Sequence, residues 1–420
     1  MARELKMPKL SDSMEDATIL RWLKLPGEPF VRGDALAEIE TDKATVVMEA
    51  ESDGTIVRLV VEEGGTARVG EAIAALDGKP GAVAKPSSEP RARPAVSGAL
   101  RELDFRAAVR EALDEALAAD ERVIFFGEDV AVAGGVFAVT GGLLEKHGSD
   151  RVFDTPISEL ALAGAAFGSA VTGLRPVVEI MFGDFLTLVM DSIVNQMSKY
   201  WFLTRGEVSV PVVIRSVVGA GGRFGAIHSQ MPVSWLMGVP GIKIVAPSTP
   251  ADAKGLLLAS IADDNPVLFF EHKRLYTLQG GVDGAPVRLG EAAVVRPGRH
   301  VTIVSAMRGV HESLAAADIL AGAGIEAEVV DLRTLRPLDS ATVAESVGRT
   351  TRLVVVEEGP LTGGWAGEVL ARATEEALGD LDDAWRIATP DSPIPYSPPL
   401  EDAHLPGAER IAAEISRRLV

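Results

Sequence analysis

The chain contains no cysteine. Disulfides, thiolate metal sites and cysteine nucleophiles are therefore excluded. Positive charge is scarce: 41 Lys and Arg stand against 60 Asp and Glu, a net charge of −19. That balance argues against nucleic acid as the main partner, because phosphate binding needs a surplus of cations. Long apolar runs are also missing. The longest, Leu160 to Leu174, is studded with Gly and Ala, and a membrane span needs roughly 18–20 apolar residues. Met1 to Leu10 holds no apolar h-region, so no secretory signal is expected. These absences predict a cytoplasmic protein with no membrane partner.

What is present is enough for a large core. The chain has 420 residues, 47% of them hydrophobic, which allows two to four domains at roughly 100–200 residues each. One stretch, 79–101, stands apart. It begins Lys79-Pro80-Gly81-Ala82-Val83-Ala84-Lys85-Pro86 and has no apolar periodicity. Proline favours extended backbone, and Ala and Ser add little packing. Five bases (Lys79, Lys85, Arg91, Arg93, Arg101) face one acid, Glu89. The segment reads as a linker, either a simple spacer or a semi-stiff tether that lets the first domain travel.

Ahead of the linker lies an internal repeat. Ala17-Thr18-Ile19-Leu20-Arg21 returns as Gly54-Thr55-Ile56-Val57-Arg58, an offset of 37 residues (54 minus 17). Gly27 and Gly64, Gly33 and Gly70, and Ala35 and Ala72 match at the same offset. Two similar halves of short strands predict a small all-β sandwich with pseudo-twofold symmetry. Lys43 sits between the halves, in Glu40-Thr41-Asp42-Lys43-Ala44. Asp and Thr favour a tight turn there, flanked by predicted strands Ala35 to Ile39 and Thr45 to Met48. The position alone does not distinguish Lys43 from an ordinary surface lysine.

After the linker, helix and strand signals alternate. Phe105, Ala108, Val109, Ala112, Leu113 and Ala116 have helical spacing across 105–119. Val123 to Phe126, Val177 to Met181, Val210 to Ile214 and Val267 to Phe270 read as buried strands. A second unit begins near Ala292, with strands Val301 to Ser305, Ala327 to Val330 and Leu353 to Val356. A last helix runs from Ala408 to Leu419. The pattern predicts α/β units with mostly parallel sheets. In Asp154-Thr155-Pro156-Ile157-Ser158-Glu159, Pro156 and Ser158 suit a strand-to-helix turn, with Ser158 as N-cap. Glu159 opens a helix containing Gly164 and Gly168, small residues that permit close approach of another subunit.

Residues 4–77 resemble the lipoyl domains of 2-oxo acid dehydrogenase complexes. The resemblance rests on Met7-Pro8-Lys9-Leu10-Ser11, Gly33-Asp34, Glu40 to Ala44 and Gly54. Biotinyl domains share the fold but usually place Met on both sides of the lysine, whereas Asp42 and Ala44 stand here. The resemblance implies lipoate, joined covalently as an amide to Lys43.

The rest, from Leu103 onward, resembles the β subunit of the thiamine-diphosphate-dependent decarboxylating component of those complexes. The matching pieces include Gly127-Glu128-Asp129-Val130, Asp154 to Glu159, Gly173-Leu174-Arg175-Pro176, His228-Ser229-Gln230 and Asn265-Pro266. The implied architecture is an all-β lipoyl domain with a barrel-sandwich hybrid fold (1–78), the linker (79–101), an α/β transketolase-like pyrimidine-binding domain (102–285) and an α/β transketolase C-terminal domain (286–420).

By this resemblance, Glu159 hydrogen-bonds a pyrimidine nitrogen of thiamine diphosphate and shares a proton there. Glu128 also lies in the cofactor site, and Phe185 packs on the pyrimidine. His228 faces the channel entrance and assists acyl transfer to the dithiolane. Backbone oxygens around Val212, Ser260, Ile261, Asp263 and Asn265 match a potassium site of some members. No Gly-Asp-Gly motif with a later Asn is present, so an α subunit should supply the magnesium–diphosphate half in an α2β2 heterotetramer. Further implied partners are a dihydrolipoamide acyltransferase core, dihydrolipoamide dehydrogenase and a lipoylating enzyme. Pyruvate is the leading substrate. Branched-chain 2-oxo acids and acetoin stay open, because Glu271-His272-Lys273-Arg274-Leu275-Tyr276 looks like the acetoin-type relatives. The other reading is a non-catalytic lipoyl carrier with a degenerate thiamine domain; Glu159 and His228 together speak against it.

Overall fold

The computed structural model describes residues 3–8, 16–26, 29–30, 34–40, 45–50, 54–61, 63–77, 100–285 and 287–419. Lys43 and linker residues 79–99 lie outside the described residues. The chain divides into two compact units, Met1–Glu89 and Pro90–Val420.

The first unit is all-β. Its strands are β1 (Arg3–Lys6), β2 (Asp16–Trp22), β3 (Pro29–Phe30), β4 (Ala35–Glu40), β5 (Thr45–Glu49), β6 (Gly54–Leu59), β7 (Thr66–Arg68) and β8 (Ala72–Asp77). They form two antiparallel sheets, ordered β1-β8-β6-β3 and β5-β4-β2-β7. Exchanging β1 with β5, β2 with β6, β3 with β7 and β4 with β8 converts one order into the other. The sequence repeat is thus realised as a pseudo-twofold. Its core obeys the same offset: Ile19 and Ile56, and Leu36 and Ile73, are all fully buried. Strands β4 and β5, which flank Lys43 in the sequence, pair antiparallel, with Glu40 opposite Thr45.

The second unit opens with β9 (Arg101–Asp104) and the helix Phe105–Ala119. Asp104 caps that helix through the Ala107 N–H at 2.6 Å. Its buried face is the predicted one, Phe105, Ala108, Val109, Ala112, Leu113 and Ala116, with Leu117 added. The strands that follow are β10 (Val123–Gly127), β11 (Val152–Asp154), β12 (Arg175–Ile180), β13 (Val213–Val218), β14 (Lys243–Val245), β15 (Val267–His272), β16 (Gln279–Val282), β17 (Ala293–Arg296), β18 (Val301–Ser305), β19 (Ala327–Asp331), β20 (Thr334–Arg336), β21 (Arg352–Pro360) and β22 (Asp383–Thr389).

A seven-stranded sheet runs β11-β10-β12-β13-β15-β14-β20. Its first six strands are parallel, and β20 joins β14 antiparallel. The second sheet runs β17-β19-β18-β21-β22 and is parallel except for β17. The strand expected over Val210 to Ile214 begins three residues later, at Val213. Pro211 has no N–H to give a ladder, and the Val210 N–H goes to the Asp264 carbonyl instead, at 3.1 Å. Strand β20 departs from the expected domain separation, because it leaves the C-terminal half to edge the sheet of the first. The central strands are buried throughout, as a parallel sheet covered on both faces requires. Among the described residues no helix is long and apolar enough to cross a membrane.

Candidate functional site

In an open parallel sheet, ligands bind beyond the carboxyl ends of the strands. The residues singled out in the sequence leave this sheet at that edge. Glu128 follows β10, Glu159 follows β11, Phe185 follows β12, His228 follows β13 and Lys273 follows β15.

Glu128 is 7% exposed. Its carboxylate accepts the Ser158 N–H at 3.1 Å. Burial pushes the Glu128 carboxyl above its ordinary range; the Ser158 N–H opposes this, and the charges of Glu159 and Asp129 add to the rise. Ser158 stands at the N-cap of the helix Glu159–Val171, but its side chain makes no capping hydrogen bond. The expected cap is replaced by the backbone tie to Glu128. Asp154 fixes the neighbouring turn, accepting from Ala131 and Val132 N–H at 2.7 and 3.1 Å. Glu159 is therefore half-buried at the start of a helix whose approach is set by two carboxylates. Gly164 and Gly168 meet no atom within 4 Å where a Cβ would stand, leaving that face open.

The second group is aromatic. The His228 ring lies edge-on to Phe182 at 4.7 Å and to Phe185 at 5.5 Å. Phe182 also meets Phe137, from the loop after β10, at 5.7 Å. Lys273, which the sequence reading quoted without a role, is 9% exposed and stands 5.6 Å from the Phe182 ring and 5.2 Å from Phe224. Its ammonium donates to the His228 carbonyl. Burial pushes the Lys273 amine down to about 8, against the pull of Asp184, Glu358 and Glu401. Asp184 Oδ1 accepts from Gln230 N–H and Nε2 at 3.2 and 2.8 Å, while its buried Oδ2 has no partner. Beside His228, Ile227 and Met231 of the same loop and Trp235 of the following helix Val233–Met237 line a cavity of about 650 Å³, with Ile394 and His404 also on its wall.

The residues matched to a potassium site serve other bonds. Arg175 donates to the carbonyls of Ile261 and Asp263, both at 2.9 Å. The Val212 carbonyl accepts the Val267 N–H, and the Ser260 carbonyl the Asp263 N–H. The Asp263 carboxylate takes Lys243 and the amides of Asn265. Arg175 thus meets two of the five carbonyls, those of Ile261 and Asp263, and each carbonyl oxygen keeps a second lone pair. Among the described residues there is no group of three or more His, Cys, Asp and Glu that could hold a metal.

Three family descriptions match the chain. "Transketolase, pyrimidine binding domain" covers 101–279, "Transketolase, C-terminal domain" covers 290–411 and "Biotin-requiring enzyme" covers 3–76. The acetoin:2,6-dichlorophenolindophenol oxidoreductase subunit beta of Cupriavidus necator is 47% identical, over 74% of this chain and 96% of its own length. The pyruvate dehydrogenase E1 component subunit beta of Rhizobium meliloti is 38% identical, over 98% of both chains. A solved split-gene transketolase, described as an inactive β4 tetramer, superposes with a TM-score of 0.64 at 22% identity, over 76% of this chain and 98% of that one; this likeness concerns the fold alone. The chain belongs to the family of β subunits of the thiamine-diphosphate-dependent decarboxylating component of 2-oxo acid dehydrogenase complexes, with a lipoyl domain ahead of the two transketolase domains.

Proposed function

We propose that the chain is the β half of an enzyme that oxidatively decarboxylates pyruvate or a related 2-oxo acid and passes the acyl group to lipoate on Lys43. The observation that carries this is the convergence of Glu128, Glu159, Phe185, His228 and Lys273 at one carboxyl edge of one parallel sheet.

The residues present suit the pyrimidine end of thiamine diphosphate. A buried carboxyl held high, a second carboxyl at a helix start and an aromatic ring lie on adjacent loops. When bound, the cofactor supplies an electron sink for the charge left as CO₂ departs. Glu159 would hold a proton against the pyrimidine ring nitrogen. Glu128, accepting the Ser158 N–H, would fix the Ser158 turn and with it the direction of Glu159. Phe185 would pack on the ring and exclude water. His228 would give a proton to the sulfur that leaves when the dithiolane opens. The magnesium–diphosphate half would come from an α subunit in an α2β2 assembly. Potassium, if held by the carbonyls around Val212, Ser260, Ile261, Asp263 and Asn265, would have a structural role, and no step is assigned to it. Tethering would raise the arm's effective concentration at the site, and the acyl group would then pass to an acyltransferase core.

A second reading, acetoin cleavage, is favoured by the 47% identity to the Cupriavidus necator subunit. Pyruvate is preferred because the Rhizobium meliloti relative matches over the whole chain, N-terminal domain included. Co-expression with an α subunit, followed by assays on pyruvate, branched-chain 2-oxo acids and acetoin, separates the readings. The chain alone should show no turnover; activity without the α subunit would overturn the half-site reading.

A further inference from the structure

The loop that carries His228 leaves β13 through left-handed backbone. Gly219, Gly221, Arg223 and Gly225 have φ of 88°, 84°, 64° and 73°. At two of these positions close packing also demands glycine. A Cβ on Gly219 would stand 2.2 Å from His272 Nε2, and one on Gly221 2.5 Å from the Arg274 Cδ. Backbone of this kind can aim successive N–H groups into one concavity, which attracts negative charge.

Here the negative charge comes from the C-terminal domain. Glu358, at the end of β21, accepts the Ala220 N–H. Glu401, in the short helix Pro398–His404, accepts the Gly221 N–H at 2.9 Å and the Arg223 N–H at 3.3 Å on one oxygen. Its other oxygen accepts Arg223 Nη1 at 2.6 Å. Glu401 is completely buried. Arg223 also donates to the Pro398 carbonyl at 3.0 Å and to Asp402 at 2.9 Å. The loop's far flank is tied inside its own domain, through Lys273 to the His228 carbonyl and Gln230 to Asp184. His228 thus lies between a fixed flank and one held by carboxylates 138 and 180 residues away in sequence.

We infer that Glu401, acting through Arg223 and the Gly221 and Arg223 amides, is a positioning residue for His228. The C-terminal domain sets where the imidazole stands, so that acyl transfer to the arm depends on a residue that touches neither cofactor nor substrate. A tie that only holds two domains together would leave the division between reaction steps untouched. This inference rests on the reading of His228 as the acyl-transfer residue.

The test uses the chain assembled with its α subunit. The variants are Glu401→Gln, Glu401→Asp and Arg223→Gln; Arg223 is a third exposed, so its replacement opens no cavity in the core, and each assembly is first checked for folding by circular dichroism. The first measurement is hydrogen exchange across 219–228. The second is the ratio of lipoyl-domain acylation to turnover with an artificial electron acceptor. Both Glu401→Gln and Arg223→Gln should speed exchange at 220–225 and lower the ratio, each by about tenfold or more. Protection of β13 should stay unchanged, and Glu401→Asp should recover part of the ratio. Unaltered exchange in both variants would overturn the clamp. Faster exchange with an unaltered ratio would overturn the positioning role. His228→Asn serves as the separate control: an unaltered ratio there means that the reading of His228 has failed, while the exchange arm still decides whether Glu401 holds the loop.

Discussion

Replacing Arg215 with Met should destabilise the α/β body more than any loss of packing volume would explain. Arg215 lies on β13 in the middle of the seven-stranded sheet and is 1% exposed. Its guanidinium forks onto Glu271 at 2.7 and 2.9 Å and donates to Glu179 at 2.8 Å. Tyr276 adds a hydroxyl donor to Glu271 at 2.9 Å. Two buried carboxylates therefore share one cation. Removing one partner of a buried ion pair costs about 3–5 kcal/mol, because the other charge stays uncompensated. A domain has about 5–15 kcal/mol in total, so the loss is a large share.

The pH dependence identifies the cause. Burial already raises the Glu179 carboxyl, with Arg215 the main opposing influence. Without Arg215 it should rise further. A carboxyl raised in the folded state takes its proton at a pH where the unfolded chain remains ionised. Folding then gains stability as pH falls toward the unfolded carboxyl range, and loses it as pH rises. The deficit of Arg215→Met should thus be larger at pH 7.5 than near pH 5.5. Guanidinium unfolding followed by the fluorescence of Trp201, Trp235, Trp365 and Trp385 measures it. A deficit under about 1 kcal/mol, or one equal at both pH values, would refute the reasoning. Adding Glu179→Gln and Glu271→Gln to the variant should restore part of the loss, since the stranded charges are then gone.

Glu159→Gln should lower decarboxylation by about 10²–10⁴-fold, the usual weight of a positioned proton-sharing group; a loss under tenfold would remove the role assigned to Glu159. Glu357 is buried and its carboxyl is pushed up to about 7 despite the N–H groups of Trp365 and Ala366. Its folded value lies above its unfolded one, so stability should decline as pH rises from about 4.5 to about 7, and Glu357→Gln should flatten that decline in unfolding midpoints. Lys43→Arg should abolish the mass increment of a lipoyl group on intact protein from lipoate-fed cells; an increment that persists would place the modification elsewhere.

Much of the fold was legible from local pattern. The helix Phe105–Ala119 and the helix Ala408–Leu419 end where their apolar spacing ends. The 37-residue repeat predicted a symmetric β domain, and its paired Ile and Leu positions form that domain's core. Glu128, Glu159 and His228 were proposed from motifs shared with a family, and they lie after β10, β11 and β13. Ser158 holds the expected N-cap position, but its side chain makes no capping bond. Its local pattern suited a cap, but the buried Glu128 carboxylate, 30 residues away, bound its backbone N–H.

What the sequence determined by itself was therefore what neighbours along the chain can decide: period, turn chemistry, the symmetric repeat and the presence of Lys43 at its centre. Only the tertiary structure decided which charges meet. Arg215 with Glu179 and Glu271, Lys273 beneath His228, Glu401 against the Gly-rich loop and Arg175 across the 261–264 segment join residues far apart in the chain. Buried charges are stable only when partners arrive in three dimensions, and no local pattern announces which partner that is.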